Sequence, residues 1–149
     1  MMGLKRLGLV GALASTLAFG GGCSTTNEML GRNQQTWTMH ASTQAQAAEG
    51  KVQVATDDKG NRDLKVEVKH IAPADAVFSG TTHYVVWLKP DNGHPQNIGV
   101  LSPDKSLDAK LETRTAFTSF VVLVTAETTT QPVKPSDNEV LSATVQVAT

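Results

Sequence analysis

The sequence predicts an all-β protein: a single antiparallel, immunoglobulin-like β-sandwich of about seven strands, preceded by a signal peptide and a flexible tether. Three observations lead there. From Lys51 onward, polar and apolar residues alternate with period two, as half-buried strands require. Two runs, 83–88 and 120–124, are apolar on both faces and fit the central strands of a sheet. Turn-forming clusters punctuate these runs at sandwich spacing, with no heptads, helical repeats or internal repeats. The expected organisation is residues 1–22 as a lipoprotein signal peptide, 23–50 as an acylated cysteine and polar tether, and 51–149 as the β-sandwich domain.

The chain opens on a basic stretch ending in Lys5-Arg6, followed by the apolar run Leu7 to Phe19, too short for a stable membrane span. Gly20, Gly21 and Gly22 then place only small residues before Cys23, the sole cysteine among 149 residues. This resembles a bacterial lipoprotein signal, in which the Cys23 thiol is acylated and the chain is cut between Gly22 and Cys23. Gly20 stands where that signal usually has an aliphatic residue. The alternative is an ordinary secretory signal that leaves a free thiol. An intrachain disulfide and a cysteine-based structural zinc site are both excluded. Removing residues 1–22 leaves 11 basic against 14 acidic side chains, which gives no electrostatic case for nucleic acid. The lipid bilayer is thus the expected first partner, through acylated Cys23. Ser24, where lipoproteins kept in the inner membrane commonly carry Asp, points to the outer membrane facing the periplasm in a Gram-negative host.

Ser24 to Gly50 is rich in Gln, Ser, Thr and Ala and offers few apolar anchors. Its first part is expected to be a solvated tether. Residues 35–40 could add an edge strand, with Trp37 and Met39 alternating with polar neighbours, or 44–49 a short helical turn. The whole region before Lys51 is expected to be dispensable for folding, because ordering each residue costs about 1–2 kcal/mol of backbone entropy.

Lys51 to Thr56 and Asp63 to Lys69 alternate, the latter with Leu64, Val66 and Val68 on one face. Between them, Asp57 to Asn61 is a turn in which Gly60 and Asn61 accept positive φ, so the two runs form a hairpin with one wet face. Ile71 to Gly80 holds Pro73 and Asp75 and is a connection anchored by Val77 and Phe78. His83 to Leu88 is a central strand, stopped by the turn Pro90 to Pro95. Asn97 to Leu101 is a short strand closed by Ser102 to Lys105. Leu107, Ala109 and Leu111 alternate with charged residues and form a one-sided strand. Phe120 to Val124 is the second doubly buried strand, and Thr128 to Asn138, with Pro132 and Pro135, a long loop. Val140 to Val147 ends the sandwich, with Leu141, Ala143, Val145 and Val147 facing inward.

From Tyr84 on, the sequence resembles the extracytoplasmic domain of anti-sigma-K factor-type regulators. A Y-x-V-W-L strand (Tyr84 to Leu88) leads through a polar turn to a G-x-L strand (Gly99 to Leu101). An F-x-V-T-x-E strand follows (Phe120 to Glu127), then a Pro-containing loop and a final strand. Thr128, Thr129 and Thr130 replace the Gly-Gly found in that loop of the family. The resemblance implies a β-sandwich fold. The family's cytoplasmic sigma-binding domain and transmembrane helix have no counterpart in the sequence, so the fold is expected to carry over and sigma-factor inhibition is not.

His40, His70, His83 and His94 are the candidate ligands or bases, with His70 and His83 expected on strands. No two have the spacing that sets imidazoles side by side on one element. No Ser sits in a nucleophile elbow, and residues 57–61 lack the alternating ligands of a calcium loop. Trp87 is expected in the core, leaving Trp37 as the candidate exposed contact. The expected function is therefore a lipid-anchored envelope protein that binds, scaffolds or senses, without catalysis, metal or cofactor. Its partner is an unidentified envelope protein or polymer. The alternative is a periplasmic metal-binding protein or enzyme built on the histidines.

Overall fold

Residues 33–148 are described by a computed structural model. Among them, nine strands make two antiparallel sheets that face each other across one core. The first sheet has the order β1-β3-β4-β7, from Asn33–Thr38, Glu49–Thr56, Arg62–Lys69 and Ala109–Thr115. The second has the order β2-β9-β8-β5-β6, from His40–Ala41, Glu139–Gln146, Ser119–Glu127, His83–Pro90 and Gln96–Leu101.

The β3–β4 hairpin shows how sequence becomes register. Asp57 Oδ1 accepts the N–H groups of Lys59 and Asn61, both at 2.9 Å, and Gly60 takes φ 86°. That turn pairs Val54 with Leu64 and Val52 with Val66, all four wholly buried on one face. Across the core they meet Phe120, Val122 and Val124 of β8 and Tyr84, Val86 and Leu88 of β5. Burial of this apolar surface is the dominant stabilising term of such a sandwich. Strands β5 and β8 run side by side from His83↔Glu127 to Pro90↔Phe120. At Gly99, φ is 148°, and a Cβ there would lie 2.7 Å from Leu111 Cδ1, so β6 and β7 approach closely only because the side chain is absent.

The structure extends the sandwich beyond its expected start. The seven expected strands correspond to β3–β9; β1 answers to the edge strand allowed for at 35–40, and β2 is additional. They are one stretch of chain that changes sheets at Met39: β1 joins β3, while β2 pairs with β9 through His40↔Ser142. Met39, Ala45 and Ala48 are buried in the core, and Thr43–Ala45 forms one turn of 3-10 helix. Residues 33–50 are therefore not tether, and the expectation that everything before Lys51 is dispensable does not fit this packing. These three buried side chains are the apolar contribution of a segment whose composition suggested too little.

Three local expectations also change. Residues 71–80 include a single helical turn, α1 (Ala74–Val77). Leu107 does not face inward: its φ is 65°, its side chain is 41% exposed, and β7 begins two residues later. His70 lies past the end of β4 with φ 58°, outside any strand.

Candidate functional site

The residues nominated from sequence do not converge. Gly22 and Cys23 lie outside the described residues. His40 is exposed on β2, His83 half-buried at the start of β5, and His94 exposed in the β5–β6 turn. His70 Nδ1 is 3.3 Å from Glu49 Oε2, with both side chains exposed. Among the described residues no three His, Cys, Asp or Glu side chains gather in a group that could hold a metal. Trp37 belongs to edge strand β1 and is half-buried, packed against the core, so it is less open than the tether reading implied.

A different cluster emerges on the outer face of the five-stranded sheet. Tyr84, Val86 and Leu88 point into the core, so the alternation of a strand sends Val85 and Trp87 the other way. Trp87 is nevertheless only 1% exposed. Its indole Nε1–H donates to Thr125 Oγ1 at 2.9 Å, and the Thr125 hydroxyl donates to Glu127 Oε1 at 2.6 Å. Glu127, 7% exposed, also accepts the Ser136 N–H at 2.9 Å. Register shifts fall between Val86 and Trp87 and between Val124 and Thr125, so both partners of the indole bond sit at irregularities that re-aim side chains.

Ser136 belongs to the loop 128–138. Earlier in that loop the Thr130 carbonyl accepts Asn97 Nδ2–H on β6 at 3.0 Å. Since β5 lies between β8 and β6, the loop must cross over β5 at the level of Trp87, which pairs with Asn97. It then returns to β8, where Asn138 and Ala126 bond through their backbones at 3.0 Å. The loop is a strap over the outer face. Pro132 and Pro135 are half-buried, whereas Val133 between them is 98% exposed at the tip. Sequence reading placed Trp87 in the core. It is buried, but under the strap rather than between the sheets. The signal was present in T-x-E: period two puts Thr125 and Glu127 on one face, an unusual ending for a doubly apolar strand.

A second feature lies where β5 begins. A cleft of about 420 Å³ opens between α1, the start of β5 and the β6–β7 loop, lined in part by Asp75, His83, Tyr84, Asp104 and Leu107. The Tyr84 hydroxyl donates to the Ala72 carbonyl. Burial, and then the negative charge of Asp75, push its pKa up to about 12. On the adjoining loop, Asp104 Oδ1 accepts the N–H groups of Ser106 at 2.8 Å and Asp108 at 3.1 Å. Asp75 and Asp104 stand far apart in sequence and in no recognised motif, so pattern reading had no means of joining them.

Comparison with known proteins places these motifs. The family model described as anti-sigma-K factor rskA, C-terminal, matches residues 8–140. The match takes in most of the chain, and the chain belongs to this family. The chain matches no curated protein and no solved structure. The strand residues Tyr84, Trp87, Thr125 and Glu127, on which the resemblance was read, are those that the structure ties to loop carbonyls, to one another and to the strap.

Proposed function

We propose that this member of the anti-sigma-K factor C-terminal family is a lipid-anchored envelope protein whose sandwich binds, scaffolds or senses a partner without catalysing a reaction. The observation that carries the reading is the family match, which begins within the apolar run and continues to the last strand. Anti-sigma factors act by contacting proteins at a membrane, and a β-sandwich with a strapped outer face offers a rigid surface for such contact. Cys23 supports the manner of attachment: a lone cysteine behind an apolar run and three glycines is suited to acylation. More than one acyl chain gives stable anchoring where a single chain does not. Ser24 after the cysteine favours delivery to the outer membrane, facing the periplasm, in a Gram-negative host.

Metabolic labelling tests the anchor. Radiolabelled palmitate is expected to enter the wild-type protein, and Cys23→Ser is expected to abolish both labelling and cleavage after Gly22. An unlabelled wild-type protein with a free N-terminus would overturn the anchor. The binding role is tested by photo-crosslinking from the strap tip and from β1 in intact cells. One reproducible envelope partner supports it, and catalytic turnover by the purified protein would displace it.

A further inference from the structure

Among the described residues the sandwich has four sheet edges, and three of them carry features that discourage pairing with another chain. On β7, Lys110, Glu112 and Arg114 put exposed charge along the edge. On β6, Gly99 takes φ 148° and the ladder to β5 shifts register between Val86 and Trp87. On the other side of the sandwich, β2 is only two residues long. The fourth edge is β1, and none of these devices is present there. Its six residues, Asn33 to Thr38, include no charge, proline or glycine. We propose that β1 is a self-association edge, pairing antiparallel with β1 of a second copy of this chain about a two-fold axis at Thr36. The two four-stranded sheets then join into one continuous sheet.

The backbone fixes which residues would pair. Met39 N–H donates to the Gly50 carbonyl at 2.8 Å, toward β3. The backbone groups of a strand alternate between its two sides, so Gln35 and Trp37 also turn theirs toward β3. Gln34, Thr36 and Thr38 therefore turn both N–H and carbonyl outward, and all three are exposed. The strand is held in place before any partner arrives: Gln35 Nε2 donates to the Ala148 carbonyl at 3.3 Å, and Gln35 Oε1 accepts the Ala148 N–H at 3.1 Å. Of the two registers that centre on β1, Thr36 opposite Thr36 engages all three outward residues, with Gln34 opposite Thr38. Gln35 opposite Gln35 engages only Gln34 and Thr36. The first register also makes a favourable Thr–Thr cross-strand pair. A second copy fits because glutamine and threonine side chains both donate and accept, so the strand laid against itself finds matching groups. It brings no like charge to the contact. A charged strand from another protein would find no counter-charge along Asn33 to Thr38.

Cross-linking and sedimentation of the full chain in mild detergent test the contact. Cys23→Ser is present throughout, so the outcome is separate from that of the lipid anchor. Thr36→Cys sets two thiols opposite each other at a Cα separation of about 5.5 Å, inside the range of about 4.4–6.8 Å that a disulfide spans. Under a mild oxidant it is expected to form a linked dimer about tenfold faster than Arg114→Cys on the charged edge β7, because only the former thiols are held together. Sedimentation reads the same contact without a cross-link. Thr36→Lys, at an exposed position, opposes two like charges at the axis and is expected to weaken self-association about fivefold or more, with an unchanged far-ultraviolet circular dichroism spectrum. An equal mixture of Thr36→Lys and Thr36→Glu chains is expected to restore it. Equal cross-linking rates at 36 and 114 would overturn the proposal. So would a chain that stays monomeric with Thr36 intact, a Thr36→Lys chain that associates as tightly, or a mixture that associates no better than Thr36→Lys alone.

Discussion

The two sheets turn opposite kinds of outer face away from their shared core. On the four-stranded sheet that face is a lattice of charge: Lys51 and Lys65 reach Glu67 at 3.3 and 3.7 Å, Arg114 reaches Asp63 at 3.2 Å, and Lys110 reaches Glu112 at 3.5 Å. On the five-stranded sheet the corresponding positions of β5 and β8 hold Val85, Trp87, Val121, Leu123 and Thr125. A charged face can stop at water. An apolar one cannot, and the strap 128–138 supplies the missing layer. The strap needs an acceptor inside the apolar face to hold it there, and Glu127 provides one to the Ser136 N–H. A buried carboxylate is tolerated because Thr125 and Ser136 both donate to it.

The harshest way to break the comparison is to remove the segment that serves both sheets. A chain beginning at Lys51 loses β1 from one sheet and β2 from the other, together with Met39, Ala45 and Ala48. Loss of buried Met39 alone is worth about 2–5 kcal/mol. The truncated protein is therefore expected to aggregate or to melt far below the full mature chain, by circular dichroism. A near-native melt would return residues 33–50 to the tether. Next, Trp87→Ala empties the space under the strap and is expected to destabilise the domain by about 3–5 kcal/mol in urea unfolding. It also leaves the Thr125 hydroxyl without the indole donor. An unchanged midpoint would mean that the covered face contributes no more than the open one.

The smallest effect is expected on the charged face. Burial against the sheet works against ionisation of Glu67, but the hydrogen bond from Lys51 and the charges of Lys65, Lys51 and Lys69 outweigh it and lower its pKa below the ordinary 4.5. A lowered folded-state pKa gives stability that is present above pH 4.5 and is lost as pH falls through the lowered value. Glu67→Gln is expected to cost about 0.2–1 kcal/mol at neutral pH and low salt, and less at high salt. It is also expected to flatten the acid limb of the stability curve. A loss as large as that of Trp87→Ala would remove the contrast between the faces.

Period-two alternation was legible wherever a strand has one wet face, which is why β3, β4 and β9 lie where the sequence put them. Doubly apolar β5 and β8 were legible as central strands, but alternation cannot say what covers their second face. The polar T-x-E ending of β8 hints at a cover, but it is the bonds from Asn97 and Ser136, in the segments that follow those strands, that show what the cover is. Edge strand β1 was legible only as one of two readings of residues 35–49, because Asn33 to Thr36 are all polar and the buried contribution comes later, from Met39. Leu107 matched the inward pattern of its neighbours, yet the Asp104 turn captured its backbone first. The cleft depends on loops brought together by the fold, and no local pattern encodes it.

The crossing of the chain at Met39 also decides how the domain bears force. A pull arriving from the chain before Asn33 enters through β1, whose Gln35 side chain both donates to and accepts from the backbone of Ala148. The entry point is thus fastened to the exit point of the last strand. Beyond Met39 the same stretch is bonded to β9, with Ser42 N–H donating to the Val140 carbonyl at 2.9 Å. Load from that side meets the pairing of β1 with β3 first and that of β2 with β9 next, so the entering segment is held by both sheets in turn.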